Sequence, residues 1–228
     1  MKKILVILAA SLTLAACSKT AKEVILTYPD GKPQLVYYTQ GKDADKVLVK
    51  EENFYENGQL RYTKEYNEGK PVKVWKFFYE SGNTFATADY GEAQKVPYWK
   101  FFDEDGSMLA QSSDSVVILE INSDYSPANI VCGKNKYEQI QYQFFTNFKM
   151  RSKGKLNDGN RDGRWIMWFP NGNRQTECSY SNGIAQGEQI VYFENGNVRY
   201  KGSFYNGIRV GEWQFFDENG KLLNTKIF

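Results

Sequence analysis

Three polar residues and a glycine in the second half of the chain have the spacing with which a calcium ligand set begins. Asp158, Asn160 and Asp162, followed by Gly163, spell D-x-N-x-D-G, which is how a calcium-binding loop begins. Such a loop also needs a bidentate acid at its twelfth position, where this chain has Phe169. We therefore interpret the stretch as an acidic turn between strands and predict neither a bound metal nor a cofactor.

The composition also argues against catalysis. The 228-residue chain has no histidine, which removes the most common general base and the most common neutral metal ligand. No stretch has the pattern of a nucleophile elbow or of paired catalytic acids. The sequence therefore predicts no catalytic residues and a protein that is not an enzyme.

Cysteine chemistry is confined to Cys17, Cys132 and Cys178. In an exported protein the last two meet an oxidising compartment, where a disulfide between them is one expectation. That bridge would pin residues 111–136 against residues 137–228. Two buried free thiols are the alternative, and both stay open because a sequence does not report the distance that a bridge requires.

The amino terminus has three parts, which are basic Lys2 and Lys3, a short apolar run, and small residues before Cys17. The run is too short to span about 30 Å of hydrocarbon, so residues 1–16 are predicted to be a secretory signal peptide. The stretch LAAC, which ends at Cys17, resembles the lipobox of bacterial lipoproteins. The resemblance implies lipid attachment at Cys17, a lipidated tether over residues 17–23 and a membrane anchor. With Ser18 and not an aspartate after the cysteine, the resemblance also implies the outer membrane of a Gram-negative cell envelope.

The charge of the mature chain is balanced. Removal of residues 1–16 takes Lys2 and Lys3 from the 29 basic residues and leaves 27 against 27 acidic residues. Nucleic-acid recognition begins from a basic field. We therefore expect no nucleic-acid partner.

Turn glycines recur every 24 residues in two blocks, which are Gly58, Gly82 and Gly106, and Gly172, Gly196 and Gly220. A constant period of this length indicates a repeat architecture. Asn-Gly pairs between aromatic runs, such as Asn171-Gly172, predict type I′ hairpin turns with positive φ at both residues. Because all connections are short, the sequence predicts an all-β, elongated sheet of antiparallel hairpins.

The repeat unit resembles a known family. The series Gly202, Phe204, Asn206-Gly207, Gly211 and Trp213 is similar to the MORN repeat, in a variant common in bacterial proteins often labelled antitoxin-like. We place a first array at residues 24–110 and a second array at residues 137–228. The resemblance implies a curved sheet that binds other proteins and has no catalytic residues.

Two places depart from the repeat. Phe148 occupies a turn-glycine position, so we expect that unit to turn differently or Phe148 to cap an end of the array. Residues 111–136 break the pattern, with a β-branched run, SVVILEI, followed by the loop-like stretch NSDYSPANIVCGKNK. We interpret this segment as an insertion that carries individual function.

Aromatic residues occur in pairs three residues apart, such as Trp165 with Trp168 and Trp213 with Phe216. On a regular strand the two members lie on opposite faces, so one should face a core and the other be half exposed. Trp168, Trp213 and Phe216 form the candidate partner surface. The alternative is that these rings only shield the backbone of a single-layer sheet.

Together these features predict a non-catalytic, membrane-anchored lipoprotein whose repeat sheet is a protein-interaction scaffold in the cell envelope. Two other classes stay open, which are an antitoxin or immunity-type protein that binds one toxin and an envelope glycan-binding module. Exposed terminal strands additionally predict edge-to-edge pairing into a homodimer.

Overall fold

We describe a computed structural model of the chain, which covers residues 20–92, 96–115, 117–124 and 126–228. The predicted signal peptide and the lipid attachment at Cys17 lie outside the described residues. No helix in the described ranges has the length and the apolar character that crossing a membrane requires.

The described chain folds into two antiparallel sheets, and in each sheet every strand pairs with the next strand in the sequence. The first sheet contains β1 (Ala21–Thr27), β2 (Pro33–Gln40), β3 (Val47–Phe54), β4 (Leu60–Asn67), β5 (Lys70–Phe78), β6 (Thr84–Asp89), β7 (Tyr98–Phe102) and β8 (Met108–Gln111). Short 3-10 turns occur at Asp43–Asp45 and Ser112–Asp114. The tether was predicted to reach residue 23, but β1 already begins at Ala21.

The second sheet contains β9 (Val117–Ile121), β10 (Pro127–Gly133), β11 (Gln139–Phe144), β12 (Met150–Asn157), β13 (Asn160–Trp168), β14 (Arg174–Ser181), β15 (Ile184–Tyr192), β16 (Val198–Tyr205), β17 (Ile208–Phe216) and β18 (Leu222–Ile227). The predicted all-β architecture of antiparallel hairpin repeats is confirmed.

β9 and β10, which lie within the predicted insertion 111–136, form the first two strands of the second sheet, whereas Gln111 ends β8 of the first sheet. The expectation of a loop-like stretch is wrong over Pro127–Gly133. Ile130 and Cys132 point into the core between the sheets, while Val131 packs on the opposite face against Leu156. A strand that is buried on both faces lacks the apolar and polar alternation by which a half-exposed strand is recognised.

Two kinds of turn alternate along the second sheet. In the first kind, the Phe169 carbonyl accepts a bond from the Gly172 amide at 2.9 Å and the Phe169 amide donates to the Asn173 carbonyl at 2.8 Å. Gly172 has a φ of 92° and Asn171 has no positive φ, so the turn is type I followed by a left-handed glycine bulge. The type I′ prediction for Asn171-Gly172 is therefore wrong, because the loop holds three residues instead of two.

The type I′ geometry occurs at the return turns instead. Asn182 and Gly183 have φ values of 48° and 83°, and Asn206 and Gly207 have values of 50° and 78°. Asparagine and glycine are the residues that tolerate this left-handed backbone best. Each 24-residue unit therefore contains one turn of each kind.

Phe148 makes the same turn as the glycines that it replaces. Its amide donates to the Phe145 carbonyl at 2.9 Å, and its φ of 69° lies in the left-handed region. The expectation that this unit turns differently is wrong. The ring is fully buried between the sheets and stacks on Phe85 with centroids 4.7 Å apart, so burial offsets the backbone strain.

The main core lies where the two sheets pack face to face. The first sheet contributes mainly Trp75, Phe77, Phe85, Trp99 and Phe101, and the second sheet contributes Ile130, Tyr142, Phe144 and Phe148. The first sheet buries the face that carries its tryptophans. The second sheet buries the opposite face, because Tyr142 and Phe144 do not share a face with Trp165. The tryptophan face of the second sheet therefore does not take part in this contact.

Buried polar groups tie the first sheet to the connection between β9 and β10. Lys64 is 1% exposed, donates to the Asp124 carbonyl, and lies 3.9 Å from the centroid of the Tyr62 ring. Arg61 forms an ion pair with the Asp124 carboxylate at 2.9 Å. Burial lowers the pKa of the Lys64 ammonium, because leaving water disfavours the charged form.

The strained turn at Phe148 leads to the first prediction. Phe148→Ala should lower the free energy of unfolding by about 3–5 kcal/mol, because it removes the buried ring that stacks on Phe85 and leaves a cavity. Phe148→Gly removes as much of the ring but relieves the left-handed strain, so it should be about 1 kcal/mol more stable than the alanine variant. Urea unfolding of both variants measures the difference, with Gly172→Ala as the control that adds strain alone. An alanine variant at least as stable as the glycine variant would contradict the prediction.

Candidate interaction surface

Two tryptophans of the second sheet lie flat over glycines of the neighbouring strands. Trp165 pairs with Gly154, and a Cβ added at Gly154 would come within 2.2 Å of the Trp165 ring. Gly202 and Trp213 repeat this arrangement, also at 2.2 Å. Only glycine leaves room for the indole, so this residue type is required here by contact as well as by backbone freedom.

An arginine also lies over each of these two rings. Arg161 lies 4.4 Å from the Trp165 centroid and Arg209 lies 4.5 Å from the Trp213 centroid. Trp165 is 2% exposed and Trp213 is fully buried. Trp213 was proposed from the sequence as part of a partner surface, and its burial contradicts that proposal. It stabilises the sheet instead.

The unit between them uses another pair. Gln189 stands in the tryptophan position and pairs with Cys178, which is 3% exposed. Burial raises the pKa of the Cys178 thiol, which disfavours the reactive thiolate.

The disulfide that the sequence left open is not formed, and the Cys132 and Cys178 side chains are both buried. β10 and β14 are four strand spacings apart, or about 19 Å. The two side chains also point to opposite faces of the sheet, since Cys178 shares the face of Trp165 and Cys132 faces the first sheet. A bridge requires Cα atoms within about 7 Å.

A row of aromatic side chains crosses the other face of the second sheet. Trp168, Tyr192 and Phe216 end β13, β15 and β17, are 24 residues apart, and are each half-buried. We call these three residues the aromatic row. Phe144, 24 residues before Trp168, continues the row into the core between the sheets, where it meets Phe85 edge to face at 4.8 Å.

The outcome for the sequence-predicted surface is therefore mixed. Trp168 and Phe216 lie in the same half-exposed row, as their spacing from Trp165 and Trp213 indicated, while Trp213 does not. Tyr192 was missed, although its position 24 residues from both Trp168 and Phe216 is the signal that could have found it. The first sheet carries a similar row on its outer face, formed by Phe54, Phe78 and Phe102.

A hydrogen-bonded charge network lies beside the aromatic row. Glu177 accepts bonds from Arg164, from Arg174 at 2.6 Å and from the Tyr192 hydroxyl at 3.1 Å. Burial by itself would raise the pKa of the Glu177 carboxyl, but these bonds and the two guanidinium charges outweigh burial and hold the pKa below its usual value. The network therefore leaves few unpaired polar groups next to the rings.

A cleft opens where the first sheet leaves this face. It has a volume of about 520 Å³, and Trp168 and Ile166 line it together with Tyr79, Asp103 and Glu104 of the first sheet. Lys149 and Lys153 supply opposite charges. Clefts of this size between packed units are frequent ligand sites.

The acidic turn, whose sequence begins like a calcium-binding loop, forms ion pairs with lysines. Asp158 forms an ion pair with Lys136 at 3.0 Å, and Asp162 lies 3.8 Å from Lys155. Asp158 and Gly159 form a type I′ return turn, with φ values of 47° and 80°. Within the described part of the chain, no three acidic, histidine or cysteine side chains converge as a metal site would require.

The fold and these surfaces define a β-repeat protein whose described residues contain no cluster of metal-ligating side chains. The model of the MORN repeat variant matches four segments, which are residues 49–68, 161–182, 185–206 and 209–228. One match lies in the first sheet and three follow one another in the second. These matches support a MORN-repeat protein, and such repeats suggest a binding or scaffold role.

Other comparisons add little. No curated protein matches this chain in sequence. A chain of the structure titled "Crystal Structure of TcdB2-TccC3-Cdc42" is 9% identical, over 91% of this chain and 16% of that chain, with a TM-score of 0.18. This chain thus spans a small part of that chain's length, and the likeness carries no argument about fold or function.

The contact between glycine and tryptophan predicts the effect of one methyl group. Gly202→Ala should displace the Trp213 ring and destabilise the protein by about 1–3 kcal/mol, as overpacking does. Chemical unfolding measures the loss, and a red shift of tryptophan emission reports the displaced ring. Cys178→Ala, at the equivalent place one unit earlier, keeps a Cβ opposite Gln189 and should cost less. Equal stability of Gly202→Ala and the wild type would refute the close approach.

The Glu177 network predicts a pH dependence. The folded-state pKa of the Glu177 carboxyl lies below its unfolded value of about 4.3. The stabilisation by this carboxylate is therefore complete above about pH 4.3 and is lost as the pH falls through the folded-state pKa. Glu177→Gln should therefore be less stable than the wild type at neutral pH, and the difference should shrink in acid. Urea unfolding across this range tests the prediction, and a pH-independent difference would count against the network.

Proposed function

We propose that this protein is a non-catalytic lipoprotein of the cell envelope, anchored through Cys17, whose repeat sheet holds a protein partner on the aromatic row. The observation that carries the proposal is the half-exposed row itself. Trp168, Tyr192 and Phe216 present apolar ring surface on a rigid sheet, and aromatic residues of this kind anchor many protein interfaces.

The architecture supports a scaffold because it provides a rigid surface with regular spacing. Each hairpin stacks on its neighbours, so the rings are held at positions set by the strand pairing. The three rings are also more exposed than those of Trp165 and Trp213. A surface that needs no rearrangement before binding avoids part of the entropy cost of association.

The proposed anchor limits where the partner can be. From Cys17 to Ala21, where β1 begins, the backbone spans at most about 14 Å. This is shorter than a tether that ends at residue 23 would allow. A partner that reaches the sheet must therefore come close to the membrane surface.

Site-specific crosslinking in intact cells tests the proposal. The full chain carries a photoreactive phenylalanine analogue at position 216, and the same analogue at Tyr205, at the far end of the neighbouring strand, is the control. We expect a discrete protein adduct from position 216 that is lost with Trp168→Ala, and none of that size from position 205. Cys17→Ser should move the protein out of the membrane fraction.

Four outcomes would overturn the proposal. Equal adducts from positions 216 and 205 would show no preference for the aromatic row. Membrane retention of Cys17→Ser would reject the anchor. Retention on envelope polysaccharide through Trp168 without any protein adduct would favour the glycan-binding alternative, and a single tightly bound toxin as the adduct would favour the immunity-type alternative.

A further inference from the structure

We propose that the aromatic row binds a proline-rich segment of its protein partner in the polyproline II conformation. This inference rests on the proposed scaffold function and names the chemistry of the partner. The ligand would cross the strands at their turn-proximal ends, over Trp168, Tyr192 and Phe216 in order.

The first reason is the spacing of the rings. Successive members of the row lie on every second strand, so they are two strand spacings, or about 9.6 Å, apart. A polyproline II helix has three residues per turn and rises 3.1 Å per residue, which gives about 9.3 Å per turn. Every third residue of such a helix therefore meets the next ring, and about seven residues span all three rings.

Other extended ligands fit the spacing less well. An extended strand presents same-side residues about 6.7 Å apart, so it falls out of step with the rings at once. An α-helix returns to the same side every seven residues, after about 10.5 Å, and misses the second interval by about 2 Å in total. Among peptide conformations, polyproline II matches the row best.

The second reason is the chemistry between the rings. Val198 pairs with Tyr192 in the interval before Phe216, and Leu222 pairs with Phe216 just beyond the end of the row, so the neighbouring side chains there are apolar. Near Trp168, the Glu177 carboxylate already holds Arg174 and the Tyr192 hydroxyl. A surface whose polar groups satisfy one another favours a ligand with few donors, and proline has no backbone N–H.

The same chemistry disfavours a glycan. An extended β-linked glycan also repeats at about the length of one ring interval. However, each sugar carries several hydroxyl groups, and burying these groups without hydrogen-bond partners weakens binding. Val198, which lies directly between the strand ends at Tyr192 and Phe216, offers no such partner.

The third reason is that the row continues an interface that already exists. Phe144, which precedes Trp168 by one repeat, is buried by the first sheet and meets Phe85 there. Trp168 lies next to that contact, in the cleft lined by Tyr79. Where this row is covered within the chain, an apolar ring covers it. We expect the ligand to extend the same kind of contact outward from the cleft.

The test measures binding of a decaproline peptide to the full chain by titration calorimetry. We expect saturable binding that becomes about tenfold weaker with Trp168→Ala and with Phe216→Ala, the size of effect expected from loss of one anchor residue. Trp168→Phe keeps a ring and should bind within a few-fold of the wild type. Tyr205→Ala, at the opposite end of β16, is the matched control and should bind as the wild type does. Thermal unfolding confirms that each variant is folded.

Two further probes separate the outcomes. A peptide of equal length made of glycine and serine should not bind, because it has no apolar side chains to contact the rings and no preformed polyproline II conformation. A chito-oligosaccharide should not bind either. If decaproline fails to bind, or binds equally to folded Trp168→Ala and Phe216→Ala, the inference is wrong.

Failure of this inference is distinguishable from failure of the proposed function. If position 216 still gives its Trp168-dependent protein adduct while decaproline does not bind, the scaffold stands and the partner is not proline-rich. If the chito-oligosaccharide binds and loses affinity with Trp168→Ala, the row is a glycan site. If neither probe binds and no adduct forms, both proposals fall.

Discussion

The second sheet depends on the close approach of the Trp165 and Trp213 indoles to glycines on the neighbouring strands. Because a Cβ would come within 2.2 Å of the ring, the pairs Gly154–Trp165 and Gly202–Trp213 require one register and one face. A shift by one residue would move every side chain to the opposite face. The close approach thus fixes which aromatic residues are buried and which are left half exposed. The aromatic row is a consequence of this choice.

The two sheets pack different residues against their tryptophans. At the position of Gly154, the first sheet has Lys64, whose ammonium lies over the Tyr62 ring and reaches Asp124. The first sheet can bury a cation there because the second sheet covers this face and supplies its partners. In the second sheet the tryptophan face has no such cover, so arginines and glycines enclose the rings instead. Stacking equal repeats therefore produces two unequal surfaces.

Asymmetric packing also decides which surface is available to a partner. The core between the sheets reaches Phe144 and Met150 on the non-tryptophan face of the second sheet. Beyond that limit the same row continues through Trp168, which lines the cleft with Tyr79, and on to the half-buried Tyr192 and Phe216. The candidate site is therefore the continuation of an internal interface and not a separately built pocket. This arrangement explains why the candidate site is formed by aromatic rings and not by a histidine or a cluster of acids.

The sequence by itself determined the period, the antiparallel hairpins and the opposite faces of Trp165 and Trp168, because turn glycines and strand alternation are local properties. It misjudged the turn at Asn171, the turn at Phe148 and the strand around Ile130. In those cases the loop closure, or burial contributed by the other sheet, outweighed the local preference. Only the tertiary structure decided that Trp213 is buried, that Cys132 and Cys178 lie on opposite faces, and where the aromatic row emerges. These facts depend on how residues distant in sequence pack, which a repeat pattern does not contain.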